Sequence, residues 1–168
     1  MDNISVIIRN RNEERYIGYA IQSVLDTFDK PEIIVVDNNS TDNSMGIVNT
    51  FDFEDIKTYS IDSYTPGKSL NYGVTKCSND YILILSAHSQ IMNCEFGKIK
   101  GLLDEYCVVG GKQIPVWNGK KISRRYVWSN FEEHDIVNQF SSNEDRYFLH
   151  NAFAFYTKQT LTEYPFDE

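Results

Sequence analysis

The sequence predicts an α/β fold in which helices flank a mostly parallel central sheet. Residues 33–36 and 81–85 are apolar without polar alternation, as in strands that are covered on both faces. Such runs alternate with segments whose apolar residues recur at three- and four-residue spacing, which indicates amphipathic helices. An alternating order of strands and helices favours parallel strands joined by right-handed crossovers. A length of 168 residues suits a single domain, here 1–168.

The individual elements follow from the same patterns. We predict strands at residues 4–8, 33–36, 57–61, 81–85, 108–114 and 153–156, and helices at 13–25, 42–51, 68–77, 95–106 and 158–163. Asn12 is the expected N-cap of the first helix, because a side-chain oxygen there can accept from a free backbone N–H group. Residues 117–143 are expected to be rich in loops. The regular pattern of residues 1–90 predicts the ligand-binding half of the domain, and 91–168 form the second half.

Composition and charge exclude several classes of protein. Hydrophobic residues make up 41% and charged residues 24%, which indicates a folded chain. A net charge of −8 argues against nucleic acid as a partner, because its phosphates require a basic surface. The three cysteines form no CxxC pair and are expected to be free thiols in a reducing compartment. No signal peptide or membrane-spanning stretch is visible, so we expect a cytoplasmic protein. Peripheral association with the inner face of a membrane would require a partner or additional segments.

Polar clusters follow three of the predicted strands, after residues 8, 36 and 85. In open α/β sheets, ligands bind beyond the carboxyl ends of the strands, where these clusters are expected to converge. The sequence therefore predicts a binding site at this edge.

The cations near this edge have two interpretations. Arg9 and Arg11 can contact phosphate or simply belong to a charged loop. Lys68 follows Pro66-Gly67 at a predicted helix start, where an anion can bind, although a solvated lysine is the usual case. The basic residues within 120–125 are most simply an exposed face, or else they meet an anionic acceptor.

The polar residues after the second and fourth strands are equally open. Asp37 can accept from a base or a ribose hydroxyl, or it can help Asn39 turn the chain and cap the next helix. His88 can bind a divalent metal or donate to a phosphate, whereas a lone histidine is more often structural.

Four stretches of the chain together resemble the family 2 glycosyltransferases of the GT-A fold, a Rossmann-like α/β architecture. ISVIIRNRNEE (4–14) resembles the opening VSVIIPxYNEE, and EIIVVDNNSTD (32–42) resembles EIIVVDDGSTD. GKSLNYG (67–73) with DYIL (80–83) resembles the stretch leading to GDYILFLDADD. HNAFAFYTK (150–158) with YPFDE (164–168) is similar to the acceptor-side strand and the loop beyond it. The resemblance covers almost the whole chain.

This resemblance implies a site for a nucleoside-diphosphate sugar. Glu13 and Asp37 match positions that hold the base and ribose, and Lys68 lies near the segment that approaches the diphosphate. Ser86 and His88 occupy the two acidic positions of the DxD motif, which in the family contacts the ribose and a metal bridging the diphosphate. The predicted nucleotide-sugar site comprises Arg9, Asn12, Glu13, Asp37, Asn39, Lys68, Ser86 and His88.

The sequence departs from the family in two places. Both DxD carboxylates are missing, and a hard cation such as Mg²⁺ prefers oxygen ligands. The resemblance then implies either a Mn²⁺ or Mg²⁺ ion with His88 as a ligand, or weak metal dependence with His88 donating directly to phosphate. The carboxylate general base of inverting members normally follows the FDE stretch, so it is expected beyond Glu168 in a longer chain, and no catalytic base is assigned.

The expected activity is transfer of a sugar to a saccharide or lipid-linked saccharide acceptor in bacterial surface polysaccharide synthesis. One alternative is a non-catalytic module that binds nucleotide sugars, which the altered DxD motif favours. A sugar nucleotidyltransferase is a second alternative, but it requires a glycine-rich loop after the first strand, and residues 9–12 contain no glycine.

Overall fold

A six-stranded sheet forms the centre of the molecule, with strand order β3-β2-β1-β4-β10-β5. The computed structural model of the chain describes residues 2–52, 54–121, 135–141, 145–147 and 149–168. The strands are β1 (Ile4–Asn10), β2 (Glu32–Asp37), β3 (Ile56–Ser60), β4 (Tyr81–Ser86), β5 (Val109–Gly110), β6 (Val116–Trp117), β7 (Lys120–Lys121), β8 (Phe140–Ser141), β9 (Arg146–Tyr147) and β10 (Phe153–Thr157). The helices are α1 (Ile17–Thr27), α2 (Ser44–Val48), α3 (Pro66–Lys76), α4 (Phe96–Leu103) and α5 (Lys158–Glu163).

The first four strands of the central sheet are parallel, and the remaining two are antiparallel to their neighbours. β1 pairs with β2 on one side and with β4 on the other, and β2 pairs with β3, all in parallel. β10 runs antiparallel to both β4 and β5. The prediction of a mostly parallel sheet is therefore confirmed. Two separate two-stranded ribbons, β6-β7 and β8-β9, lie in and directly beside residues 117–143, the segment that we expected to be rich in loops.

Helices cover both faces of the sheet, which explains the uninterrupted apolar strands. Successive residues of a strand point to opposite faces. Ile33 accordingly packs in a cluster with side chains of α1, α2 and α4, whereas Ile34 packs in a second cluster with side chains of α3 and α5. Both side chains are fully buried. Among the described helices, none has the length and apolar character needed to cross a bilayer.

The predicted N-cap of the first helix is wrong. α1 begins at Ile17 and not near residue 13, because the Glu13 carbonyl accepts from the backbone N–H groups of Tyr16 and Ile17 and forms a separate turn. Asn12 adopts φ +55°, and its side-chain oxygen accepts from the Thr41 backbone N–H at 2.8 Å. Asn12 therefore caps the turn after β2 instead of a helix.

Some predicted elements are shorter in the structure. α2 spans five residues where ten were expected, and β5 pairs only at Val109–Gly110 where 108–114 was expected. β5 lies at the sheet edge, and only two of its residues find a partner on β10. Arg124 and Arg125 lie outside the described residues, so the interpretation of the basic run stays a prediction.

The last residues of the chain pack against the first turn of α3. The Asn71 side chain donates to the Phe166 carbonyl and accepts from the Phe166 backbone N–H, both at 2.9 Å. Gly67 faces the same segment so closely that a Cβ atom there would lie 1.7 Å from the Asp167 carbonyl oxygen. The glycine is required by this backbone contact.

Candidate functional site

A pocket of about 140 Å³ opens at the carboxyl ends of β1 and β4. Sites that enclose a whole small molecule are usually about 300–1,000 Å³, so this pocket accommodates only part of a larger ligand. Its lining consists of Arg9, Asn10, Arg11, Glu13, Tyr64, Ser86, Ala87 and His88.

The pairing of the strands brings these residues together. Arg9 lies directly opposite Ser86 on β4, and Asn10 lies opposite Asp37 on β2. β1 is thus central to the site, and the loops that follow its two parallel neighbours end beside it. Two of the three polar clusters reach the pocket, after β1 and after β4.

The cluster after β2 supports the pocket from beside it. The buried Asp37 carboxylate accepts from the Asn10 amide at 2.8 Å and from the Ser40 hydroxyl at 2.5 Å. The Ser40 hydroxyl in turn accepts from the Asn12 backbone N–H at 3.0 Å. Similar bonds join Glu13 to Ser44 and Glu14 to Asp42. The loop after β1 is therefore held by side chains of the loop after β2.

Two amide atoms at this junction have no partner among the described residues. The Asn10 side-chain oxygen and the Asn38 side-chain nitrogen are buried and form no hydrogen bond. Buried polar atoms in native proteins are nearly always paired with protein, water or ligand. Asn10 lines the pocket, while its side-chain oxygen is itself buried from solvent.

Ser86, His88 and Glu13 form a chain of contacts across the pocket rim. A backbone hydrogen bond from Ser89 to Ser86 closes a turn directly after β4, and His88 lies within that turn. The His88 Nδ1 atom lies 3.0 Å from a Glu13 oxygen, and its Nε2 atom lies 3.2 Å from the Ser86 hydroxyl. An ionised carboxylate only accepts hydrogen bonds, so Nδ1 carries the proton. Glu13 thereby fixes the orientation of the imidazole ring.

The two arginines give the pocket a positive character in an acidic protein. No carboxylate among the described residues forms an ion pair with Arg9 or Arg11. Arg9 donates from Nη1 to the Tyr64 hydroxyl at 3.1 Å, a contact that leaves its charge uncompensated. Glu13 is the carboxylate of the lining, and it is engaged by His88. The chain as a whole carries a charge of −8, so the pocket is a local exception suited to an anion.

The residues present do not fit the divalent cation that the resemblance implies. Mg²⁺ and Mn²⁺ sites are built mainly from carboxylate, carbonyl and water oxygens. Within the described ranges, no group of three or more His, Cys, Asp or Glu side chains is arranged to hold a metal ion. Both ring nitrogens of His88 already have protein partners, and two uncompensated guanidinium groups line the same pocket.

His150 stands close to this site, and the sequence did not single it out as a functional residue. Burial lowers the pKa of His150 below its ordinary value, and repulsion from His88 lowers it further. The Nδ1 atom of His150 lies 2.6 Å from the Gln113 amide nitrogen. His150 lies just before β10 in the chain. Ala152, the residue directly before β10, accepts a hydrogen bond from the Ser86 backbone N–H through its carbonyl. The histidine appears in the sequence only as the first letter of HNAFAFYTK, with no spacing that marks a site.

The structure brings together some of the predicted site residues and separates others. Arg9, Glu13, Ser86 and His88 line the pocket, while Asn12 and Asp37 hold the adjoining loops. Asn39 is exposed with φ +50°, and its amide makes a 3.4 Å contact with the Ile61 carbonyl. The Lys68 ammonium group donates to the Ser63 hydroxyl at 2.6 Å and does not line the pocket.

Three lining residues, Asn10, Tyr64 and Ala87, were not predicted as site residues. Ala87 lies between the predicted Ser86 and His88. Asn10 was part of the polar stretch after β1, where no pattern distinguishes a buried asparagine from an exposed one. Tyr64 comes from the loop before α3, and its contact with Arg9 joins residues 55 positions apart. The exposed aromatic residue carried no signal that could have placed it there.

Comparison with known proteins gives a consistent result. A model of the family described as "Glycosyl transferase family 2" matches residues 5–164. An uncharacterised glycosyltransferase from Rickettsia typhi is 30% identical over 132 residues, covering 76% of this chain and 44% of that protein. A dolichyl N-acetyl-alpha-D-glucosaminyl phosphate 3-beta-D-2,3-diacetamido-2,3-dideoxy-beta-D-glucuronosyltransferase from Methanococcus voltae is 30% identical over 97 residues, covering 53% of this chain and 30% of that protein. The chain thus spans less than half the length of these relatives.

Solved structures with the same fold are also found. S. aureus TarS 1–349 in complex with UDP-GlcNAc superposes with a TM-score of 0.69 at 22% identity, covering 95% of this chain and 46% of that one. The mannosyltransferase PcManGT from Pyrobaculum calidifontis in complex with GDP-Man and Mn²⁺ gives 0.70 at 15% identity, covering 98% and 47%. At these identities the likeness bears on the fold alone, and it confirms the expected GT-A architecture.

Proposed function

This chain belongs to glycosyl transferase family 2, and from that premise we propose that its pocket binds the diphosphate of a nucleoside-diphosphate sugar. The proposed reaction transfers the sugar from this donor to a saccharide acceptor. The bond from the anomeric carbon to the diphosphate oxygen breaks as a bond to the acceptor hydroxyl oxygen forms. The acceptor proton passes to a base, and the nucleoside diphosphate leaves with the negative charge.

One observation carries the proposal: two arginines at the strand ends have no carboxylate partner among the residues that the structure describes. Arg9 and Arg11 line a pocket in which the carboxylate of Glu13 is already engaged by His88. A guanidinium group binds phosphate oxygens through two parallel hydrogen bonds. Positive charge placed where negative charge develops stabilises the transition state of such a transfer. The pocket therefore suits the leaving group of the reaction.

The other site residues have roles that follow from their contacts. Ser86 and His88 present a hydroxyl and the Nε2 ring nitrogen to the pocket. The hydroxyl can donate to a phosphate oxygen, and Nε2 can do so when the imidazole carries a proton on both nitrogens. Asp37 is supported by Asn10 and Ser40, and we assign it to the base or ribose of the donor.

The acceptor and the pathway are proposed on the sequence resemblance. We propose a saccharide or lipid-linked saccharide acceptor in bacterial surface polysaccharide synthesis. The relatives named above have glycosyltransferase descriptions, and the protein from Methanococcus voltae is named for a dolichyl-linked sugar phosphate. Cytoplasmic location, a general base beyond Glu168 and any association with a membrane stay predictions.

The test of donor binding is a thermal-shift screen of nucleoside diphosphates and their sugars, followed by calorimetry. A ligand that binds only the folded state raises the unfolding midpoint by mass action. UDP-GlcNAc and GDP-Man are the first candidates, because TarS and PcManGT bind them in solved structures. We expect a shift with at least one donor, and a smaller shift for His88→Ala, which removes a ring from the pocket rim.

A lysine outside the pocket provides the control variant. Lys98→Ala removes an exposed lysine whose partner is Asp135, outside the pocket lining, and should leave the shift unchanged. If no nucleotide or nucleotide sugar shifts the midpoint, the proposed donor site is wrong. Donor binding without sugar transfer to any saccharide acceptor would favour the non-catalytic module.

A further inference from the structure

The charged groups of the pocket are arranged differently from those of a metal-dependent site. The family patterns quoted above have two carboxylates where this chain has Ser86 and His88. The opening pattern has Pro and Tyr where this chain has Arg9 and Arg11. Two negative charges are therefore lost and two positive charges gained, and all four residues line the same pocket.

From this exchange we infer that the pocket binds a nucleoside diphosphate without a divalent cation, with Arg9 and Arg11 supplying the positive charge. The inference rests on the proposed function, since it concerns the same ligand. A divalent ion held by two carboxylates adds two positive charges and is itself partly neutralised. Two guanidinium groups, which have no carboxylate partner in the described part of the chain, supply the same two charges directly, and they remain charged at any physiological pH.

The position of Arg9 suits this task. It is the penultimate residue of β1 and lies opposite Ser86, so its backbone is fixed by two neighbouring parallel strands. The Tyr64 hydroxyl accepts from Nη1 and orients the guanidinium group, while the remaining N–H groups stay available. Arginine has five such donors in a planar arrangement, so one contact to tyrosine leaves enough for a phosphate.

The same residues oppose a bound cation. A divalent ion in this pocket would approach two guanidinium groups of like charge. It would also find no free carboxylate in the pocket lining, because Glu13 is engaged by His88, and carboxylate oxygens are preferred ligands of Mg²⁺ and Mn²⁺. A metal-independent site accounts for both features, the missing carboxylates and the added arginines.

The experiment measures the affinity of the intact chain for UDP and GDP by calorimetry at fixed ionic strength. Each titration is repeated with Mn²⁺, with Mg²⁺ and with EDTA, and binding of Mn²⁺ alone is followed by electron paramagnetic resonance. We expect the Kd of the nucleotide to change less than about twofold among these conditions, because the pocket holds no metal either before or after the nucleotide binds. We also expect no specific binding of Mn²⁺ alone.

Variants then test the two arginines. A hydrogen bond to a charged group contributes about 1.5–3 kcal/mol, so Arg9→Gln or Arg11→Gln should weaken nucleoside diphosphate binding by about 10- to 100-fold. Binding of the corresponding nucleoside, which lacks the diphosphate, should stay the same. Arg15→Gln is the matched control, because Arg15 is exposed in the same segment and does not line the pocket.

The possible results separate this inference from the proposed function. Nucleotide binding that needs Mn²⁺ or Mg²⁺ and disappears in EDTA overturns the inference and keeps the donor site. Binding in EDTA that both arginine variants retain overturns the role of the arginines. Absence of nucleotide binding in every condition overturns both proposals. The EDTA comparison uses the unaltered chain, so it decides the question even if a variant fails to fold.

Discussion

Asparagine side chains position the pocket loops. Asn10, Asn12 and Asn39 all lie at the ends of β1 or β2, yet their environments differ. Asn10 is buried and donates to Asp37, Asn12 accepts from the backbone of Thr41, and Asn39 is exposed. Asn12 and Asn39 share a left-handed backbone conformation, with φ of +55° and +50°, which asparagine tolerates better than most residues. This similarity permits a clean comparison.

We expect Asn12→Gly to be less stable to unfolding than Asn39→Gly by about 1 kcal/mol, the net contribution of a typical hydrogen bond. Glycine adopts the left-handed backbone conformation readily at both positions, so the difference in unfolding free energy between the two variants reflects the lost side-chain contacts. Asn12 loses a 2.8 Å bond from Thr41, whereas Asn39 loses only a 3.4 Å contact to Ile61. Urea unfolding followed by circular dichroism measures both. Equal stability of the two variants would show that the Asn12 contacts contribute nothing.

The sequence predicted that the Asn12 side chain caps the first helix, whereas in the structure it accepts from the backbone of Thr41. Asparagine before an amphipathic segment is a common helix N-cap, and the pattern alone favours that interpretation. The actual partner, Thr41, lies 29 residues away, and their proximity depends on the pairing of β1 with β2. Local patterns cannot contain such a contact.

At the scale of the elements, the two ends of β2 carry acidic side chains with different roles. Its carboxyl end leads to Asp37 beside the pocket, and its amino end begins at the buried Glu32. The Glu32 carboxylate accepts from the Lys57 ammonium at 2.7 Å, the Ser5 hydroxyl at 2.5 Å and the Ser78 backbone N–H at 2.7 Å. One side chain thus joins β1, β3 and the turn before β4 at the edge opposite the pocket.

We expect Glu32→Gln to lower the free energy of unfolding at pH 7 by about 1.5–3 kcal/mol, because hydrogen bonds to a charged group are replaced by neutral ones. Burial alone would raise the pKa of Glu32, but the hydrogen bonds from Lys57, Ser5 and Ser78 outweigh it, and the pKa is lowered. A lowered carboxylate pKa stabilises the fold above the unfolded-state pKa, and this stabilisation is lost as the pH falls through the folded-state pKa.

The measurement is urea unfolding of both proteins at pH 7 and at pH 4 or below. The difference in the free energy of unfolding between the unaltered chain and Glu32→Gln should narrow on acidification, because protonation of Glu32 removes the same charge that the substitution removes. Glu163→Gln is the control, because this exposed carboxylate of α5 accepts a hydrogen bond from the neighbouring Gln159 at 3.1 Å and is far less buried than Glu32. A gap that stays constant with pH would mean that the charge of Glu32 does not matter.

The buried strands of the central sheet were predictable from the sequence, whereas the lengths of α2 and β5 were not. Three of the four parallel strands, β1, β2 and β4, are marked by apolar runs because helices cover both of their faces. α2 and β5 are limited by their tertiary partners instead, as β5 finds only two paired residues on β10. The apolar pattern of residues 108–114 continues beyond that pairing and so overestimates the strand.

At the scale of the whole molecule, the site is a consequence of strand order. β1 lies between β2 and β4, so residues far apart in sequence reach one edge, as expected for an open α/β sheet. That convergence could be predicted. The contact of Tyr64 with Arg9 and the proximity of His150 to His88 could not be predicted, because both residues lie in loops whose paths depend on packing. The sequence therefore predicts where a ligand binds more completely than which groups meet it.

A bound donor should consequently protect separate segments of the chain at the same time. We expect amide hydrogen exchange to slow in residues 9–13 and in 86–89 when a nucleoside diphosphate is added, because both segments border the pocket. At a ligand concentration 100 times the Kd, the mass-action stabilisation of about 2.7 kcal/mol limits the slowing to roughly 100-fold. Residues 77–79 are the internal control, since they lie at the opposite edge beside Glu32. Slowing confined to one of the two segments would contradict a shared site. Protection centred on residues 77–79 would place the ligand at the other end of the sheet.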